Sequence, residues 1–335
     1  MLVWFEFIVC LLLIAVAGYR LSLYGDIIGE KLELSRSWIG VVMVASVTSL
    51  PELVTGISSV TVAQTPDIAA GDVLGSCVFN LLLIVILDFL HRQESVYTRA
   101  NMGHVLSAGF GVILIGFVGI NLLLSHSGIH LSLAHVGLYT PFILLIYTLA
   151  MRTVFRYEQM QELPVADVAD KRYKHITLRQ AVLGYTMAAV VIVAAGIWLP
   201  FVGKTIAEVM GWGESFVGTL FVAAVTSLPE AAVSIAAVRL GALDMALGNL
   251  FGSNLFNMAI LAIDDLFYLP GPLLAGVSQS HAVSALSAMM MSGIAIVGLF
   301  YRPKKRLFKT VGWISFFLLS VYLFNTFAFY LYTKQ

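Results

Sequence analysis

Thr48, Ser49, Pro51 and Glu52 recur as Thr226, Ser227, Pro229 and Glu230, because the pentapeptide TSLPE occurs twice, 178 positions apart. A proline has no N–H for the carbonyl four residues earlier, so Pro51 and Pro229 free the carbonyl oxygens of Val47 and Val225. In hydrocarbon those oxygens need another partner. Each copy therefore gathers backbone carbonyl, hydroxyl and carboxylate oxygens within about one and a half helical turns. Such oxygen-only sets suit hard cations, Ca²⁺ above all, which takes roughly six to eight oxygens in flexible geometry. No Cys or His stands near either copy, which disfavours zinc and copper. A single copy would be explained as a proline kink with hydroxyls bonding back to the helix. Glutamate in both copies argues against that, since an unpaired carboxylate is costly in an apolar run.

A second pair of blocks follows. Ser76 and Asn80 match Ser253 and Asn257 at a spacing of four, on one helix face. Interhelical hydrogen bonding and ion ligation both fit these residues. Gly71 with Gly75, and Gly248 with Gly252, read as small residues that let helices pack closely. Asp72 has no acidic counterpart, since Asn249 stands in its place. It is either a proton acceptor or secondary cation ligand, or a carboxylate favoured by the helix dipole. Asp67 and Asp244 are expected as N-caps. Asp88, Asp264 and Asp265 are expected at solvated helix ends, and His104, His126, His130, His135, His175 and His281 in solvated connections.

The elements that carry these residues are apolar. The chain of 335 residues is 59% hydrophobic and 11% charged, with a mean hydropathy of +0.92. A soluble domain carries about a quarter charged residues, so this chain belongs in a lipid bilayer. Its zero net charge gives no reason to invoke nucleic acid, and no obligate protein partner is evident. Cys10 and Cys77 read as buried small residues and not as a disulfide.

At about 20 apolar residues per span, the class is an all-α polytopic membrane protein with ten transmembrane helices. They cover roughly 2 to 19, 38 to 62, 68 to 90, 102 to 124, 133 to 153, 179 to 200, 215 to 238, 244 to 268, 280 to 300 and 310 to 332. The first has no basic lead-in or nearby cleavage pattern and is read as a retained helix. Connections after the odd-numbered helices hold 17 of the 19 Lys and Arg residues, leaving Lys204 and Lys334 opposite. The positive-inside rule then puts those connections in the cytoplasm and both termini outside, in the plasma (inner) membrane.

The repeats extend past TSLPE. Residues 38–52 align with 216–230, and 66–90 with 243–267 at an offset of 177. Five helices per half make the second copy enter from the opposite face, giving two inverted five-helix repeats, 1–153 and 179–335. Residues 154–178 join them as a cytoplasmic linker. Inverted repeats with interrupted helices are the architecture of secondary transporters, whose site lies near the midplane between the repeats.

With both blocks assembled, TSLPE with GDVLGSCVFN and TSLPE with GNLFGSNLFN, the sequence resembles the cation/Ca²⁺ exchanger superfamily, which includes sodium/calcium exchangers. The resemblance implies cation sites between helices two, three, seven and eight, and helices one and six that slide over the rest. By motif position, Glu52 and Glu230 would be central Ca²⁺ ligands. Thr48, Ser49, Thr226, Ser227, Ser76 and Ser253 would contribute to Ca²⁺ or Na⁺ sites, completed by Asn80, Asn257 and the carbonyls of Val47 and Val225. Sodium-coupled members have aspartate where this chain has Asn257, so either Na⁺ or H⁺ could be the counter-ion.

The expected function is thus antiport of Ca²⁺ against Na⁺ or H⁺ by alternating access, with inorganic cations as partners. If only Glu52 and Glu230 are charged, the site balances one divalent or two monovalent ions, provided Asp72 takes no part. A cation channel, or an antiporter for Mg²⁺ or Mn²⁺, is the alternative. An enzyme is disfavoured because the spans hold no Ser/His pair or recognised protease Asp pair. An anion carrier is disfavoured because no Lys or Arg lies mid-span.

Overall fold

The computed structural model describes residues 1–32, 46–91, 94–129, 131–160, 175–303, 306–307 and 311–332. Its long elements are helical. In chain order they are α1 (Leu2–Lys31), α2 (Leu50–Ala63), α3 (Pro66–Leu90), α4 (Gly103–His126), α5 (Tyr139–Met160) and α6 (Leu178–Met210). Then come α7, a bent pair (Glu214–Thr226 and Leu228–Arg239), α8 (Leu243–Phe267), α9 (His281–Tyr301) and α10 (Trp313–Tyr332). Among the described residues, seven helices are long and apolar enough to cross a membrane, or eight with the bent pair as one span. The chain is an integral membrane protein.

Several expected boundaries move. Helix α1 continues past residue 19 to Lys31, and α6 is 33 residues long and continues through an internal Pro200 to Met210. At 1.5 Å per residue both exceed the bilayer core of about 30 Å, which a helix accommodates by tilting. The two pack along each other. Helix α5 begins at Tyr139 and not at 133, and α10 at Trp313 and not at 310. Each is preceded by a two-residue antiparallel hairpin, Ser132–Leu133 with Val136–Gly137 and Arg306–Leu307 with Val311–Gly312, a small exception to an all-α chain. The expected linker is shortened at both ends. Helix α5 continues to Met160, and α6 starts at a capping box between Thr177 and Gln180. Residues 38–45 of the expected second helix, most of the linker and His130 lie outside the described residues.

Two carboxylates explain where the hairpins end. Asp265, near the end of α8, accepts from the backbone N–H of Gly137 (2.9 Å) and Leu273 (2.7 Å) and from the hydroxyls of Tyr139 (2.6 Å) and Thr140. Asp88, near the end of α3, accepts from the N–H of Val96 (3.1 Å) and Gly312 (2.8 Å) and from Ser315 Oγ (2.8 Å). Both acids are buried, so their expected solvation at helix ends is wrong. Backbone and hydroxyl donors supply what water would have supplied.

The first-turn acids Asp67 and Asp244 are likewise not N-caps, since Thr65 and Ala242 occupy those positions. Each instead meets a histidine from the start of a neighbouring helix: His281 Nε2 lies 2.9 Å from Asp67 Oδ1, and His104 Nε2 lies 3.0 Å from Asp244 Oδ1. Both histidines are buried, contrary to the expectation of solvation. His126 and His135 bond the carbonyls of Val277 and Leu266, and His175 is exposed.

Helices α3 and α8 pack against each other at the centre, flanked by α2 and α7. Gly71 and Gly75 allow α3 to touch the backbone of a π-helical turn in α7, Gly218–Val222. A β-carbon at either glycine would overlap Thr219. Cys10 and Cys77 are buried free thiols.

Candidate cation site

Both TSLPE segments break a helix, as the prolines dictate. In α7 the two halves meet at 44° around Ser227, whose φ of −82° and ψ of 7° leave the helical region. Ser49 sits at the matching break before α2, with φ −88° and ψ 14°. Val47 and Val225, whose carbonyls face a proline ring and not an N–H, lie in the turns just before these breaks and are both buried.

The breaks aim side chains across the molecule. Ser49 Oγ donates to Glu230 Oε1 at 2.9 Å, and Ser227 Oγ donates to Glu52 Oε1 at 3.2 Å. Thr48 Oγ1 donates to Asn249 Oδ1 at 3.3 Å, and Thr226 Oγ1 to Asp72 Oδ1 at 2.7 Å. Ser253 Oγ lies 3.3 Å from Glu230 Oε1, and Ser76 Oγ 2.9 Å from Ser227 Oγ. One row further on, Asn80 Nδ2 donates to Asn254 Oδ1 (3.0 Å) and Asn257 Nδ2 approaches Cys77 Sγ (3.8 Å). Six of these eight contacts form pairs related by exchange of the two halves; those of Ser253 and Ser76 differ, one meeting a glutamate and the other a serine. The side chains proposed as cation ligands from sequence come together here, with Asp72 among them.

Asn249 and Asn254 were not singled out from sequence. Their signal lay in the aligned blocks, where Asn249 stands opposite Asp72 and Asn254 opposite Cys77.

The polar atoms left over share one character. Glu52 Oε2, Glu230 Oε2, Asp72 Oδ2, Asn80 Oδ1 and Asn257 Oδ1 are buried acceptors with no hydrogen-bond partner. No lysine or arginine is among the buried polar residues described. Uncompensated buried carboxylates are costly, so this cluster of lone pairs calls for a cation. Among the described residues no group of three or more His, Cys, Asp and Glu side chains forms a metal cluster.

The fold and this arrangement define a membrane cation transporter. The sequence profile of the sodium/calcium exchanger protein family matches residues 2–148 and 180–331, and the chain belongs to that family. It is 30% identical over 267 residues to the inner membrane protein YrbG of Escherichia coli, covering 79% of each chain. Its fold is similar to that of the sodium-calcium exchanger NCX_Mj (TM-score 0.59, 21% identity, 97% of each chain). It is also similar to the H⁺/Ca²⁺ exchanger CAX (TM-score 0.63, 10% identity, 99% of this chain and 88% of that one).

Proposed function

We propose that the chain is a secondary-active antiporter that moves Ca²⁺ in exchange for Na⁺ or H⁺ by alternating access, with Glu52 and Glu230 as the charged centre of one cage. The observation that carries this reading is the reciprocal pair of serine–glutamate bonds. Each half uses a serine to hold the other half's carboxylate, and a second oxygen of each glutamate is left without a donor. Thr48, Ser49, Ser76, Asn80, Thr226, Ser227, Ser253 and Asn257, with the carbonyls of Val47 and Val225, complete the coordination. An all-oxygen shell of this size favours Ca²⁺ over Mg²⁺, which demands tighter octahedral geometry and keeps more of its water.

The halves, residues 1–153 and 179–335, act as inverted five-helix repeats of a ten-helix protein, with both termini outside, the linker cytoplasmic and the inner membrane as its place. Helices α1 and α6 serve as the moving pair. They pack mainly on each other and on α7 and α2, the two broken helices, so their displacement would open the cage to either side.

Asp72 joins this centre, because Thr226 donates to it. If it is ionised during the cycle, three monovalent ions per Ca²⁺ match the charge of three carboxylates; if it stays neutral, two match Glu52 and Glu230.

The test is radiolabelled Ca²⁺ uptake into proteoliposomes loaded with Na⁺, with a proton gradient alone, or with neither. Uptake that needs one of the two gradients supports antiport. Equal flux under all three conditions would make the protein a channel.

A further inference from the structure

Asp264 belongs to none of the networks described so far. It lies on α8 seven residues beyond Asn257, two turns and about 10 Å along the same face. It is completely buried, and neither of its carboxylate oxygens has a hydrogen-bond partner. The next residue, Asp265, has four donors within reach, so the missing partners are not a general property of this end of the helix.

Room for the carboxylate comes from α2. A β-carbon at Gly56 would overlap the Asp264 carboxyl group. Gly56 follows Glu52 by four residues, so it lies about 6 Å further along the face that carries the central glutamate. The acid is thus seated between the two helices that line one side of the cage, beyond the cage itself. Asp72 from α3 and Asp265 on α8 are the acidic groups close enough to act on it electrostatically, and no buried lysine or arginine is described.

The other half lacks this feature. The offset of 177 that pairs Asp88 with Asp265 places Leu87 opposite Asp264, and the offset of 178 places Ser234 opposite Gly56. Leu87 is buried and apolar, and Ser234 is engaged by Asn249. The two halves therefore differ chemically at this position, beside a cage that draws on both.

We infer that Asp264, seated against Gly56, is a holding position for one monovalent cation, Na⁺ or H⁺, on the single access route that runs between the ends of α2 and α8. One carboxylate matches one monovalent charge. A divalent ion would find too little charge to stop there, so it passes to the glutamates. On the orientation proposed above, this route opens to the outside.

The inference rests on the antiporter reading for its role in transport, but the site is measurable by itself. Purified full-length protein, with Asp264→Asn, Asp264→Leu and Glu52→Gln variants, is examined in two arms. One measures ²²Na⁺ binding at equilibrium without Ca²⁺. The other follows the carboxylic-acid C=O infrared band as Na⁺-free protein is acidified. The inference requires that one arm lose a signal in both Asp264 variants and keep it in Glu52→Gln; which arm does so tells Na⁺ from H⁺. Both Asp264 variants should be at least as thermally stable as the parent, because an unpartnered buried charge has been removed. Signals unchanged in both arms would overturn it, as would a loss of signal accompanied by unfolding of Asp264→Asn. In proteoliposomes that exchange Ca²⁺, the variants should need about tenfold more Na⁺ or H⁺ on one face only. Absence of any exchange by the parent protein would count against the antiporter reading and leave the binding result standing.

Discussion

Ser49 holds Glu230 at 2.9 Å across the boundary between the two halves of the chain, and residues 178 positions away repeat the bond in reverse, Ser227 to Glu52. A carboxylate oriented by the opposite half cannot keep its position if the halves separate at this point. The hydroxyls therefore link cation binding to the packing of the broken helices.

Removing either hydroxyl should weaken Ca²⁺ binding to a similar degree. A hydrogen bond to a charged group contributes roughly 1.5–3 kcal/mol, so Ser49→Ala and Ser227→Ala should each raise the half-saturating Ca²⁺ concentration by about ten- to a hundredfold. Combined variants extend the test: Ser49→Ala should be strongly non-additive with Glu230→Gln and nearly additive with a distant surface change. Additivity in both pairs would mean that the bond does not position the carboxylate.

On the proposed reading, the charge state of Asp72 decides the charge of the exchange. With it ionised beside Glu52 and Glu230, Ca²⁺ uptake should respond to an imposed membrane potential, since three monovalent ions would return for each Ca²⁺. Asp72→Asn should transport with little response to potential. Voltage-insensitive uptake by the unaltered protein would show that Asp72 remains neutral through the cycle.

Asp265 and Asp88 should matter for stability and not for selectivity. Asp265→Ala leaves four donors without their acceptor, and unmet buried donors cost about 1–3 kcal/mol each. The variant should melt well below the parent in detergent, while the fraction that remains folded binds Ca²⁺ with unchanged affinity. A selective loss of affinity at unchanged melting temperature would place Asp265 in the transport path instead.

The close approach of α3 and α7 predicts a steric effect. Gly75→Val would drive a side chain into the Thr219 backbone and Ala223. Overpacking of this kind costs typically about 1–3 kcal/mol, measurable as a lower melting temperature. Gly293→Ala, where an added β-carbon meets nothing within 4 Å, is the control and should leave stability nearly unchanged.

The cage was legible because its chemistry is duplicated. Glu52 and Glu230 stand out as carboxylates in apolar runs, and the offset between copies identifies Ser49 with Ser227 and Thr48 with Thr226 before any coordinates are consulted. The offset of 177 in the second block also pairs Asp88 with Asp265 and His104 with His281. Those pairs were read as solvated because sequence position suggested helix ends. Their burial comes from hairpins and helix starts folded over them, which are contacts between segments far apart in the chain. Asp264 was read as solvated with them and is buried too, but its counterpart is Leu87, so the repeat gave no sign that it differs from Asp265. The lengths of α1 and α6 were underestimated because charged residues such as Arg20 and Lys204 suggest helix ends, whereas a tilted helix can carry them beyond the hydrocarbon.

The central claim is that the halves share one cage and do not each hold a separate site. Calorimetric titration of the purified protein with Ca²⁺, for the unaltered chain, Glu52→Gln and Glu230→Gln, tests it most directly. The account predicts one Ca²⁺ per chain and loss of that binding in either single variant. Two equivalents in the unaltered chain, with each variant retaining one at undiminished affinity, would contradict it.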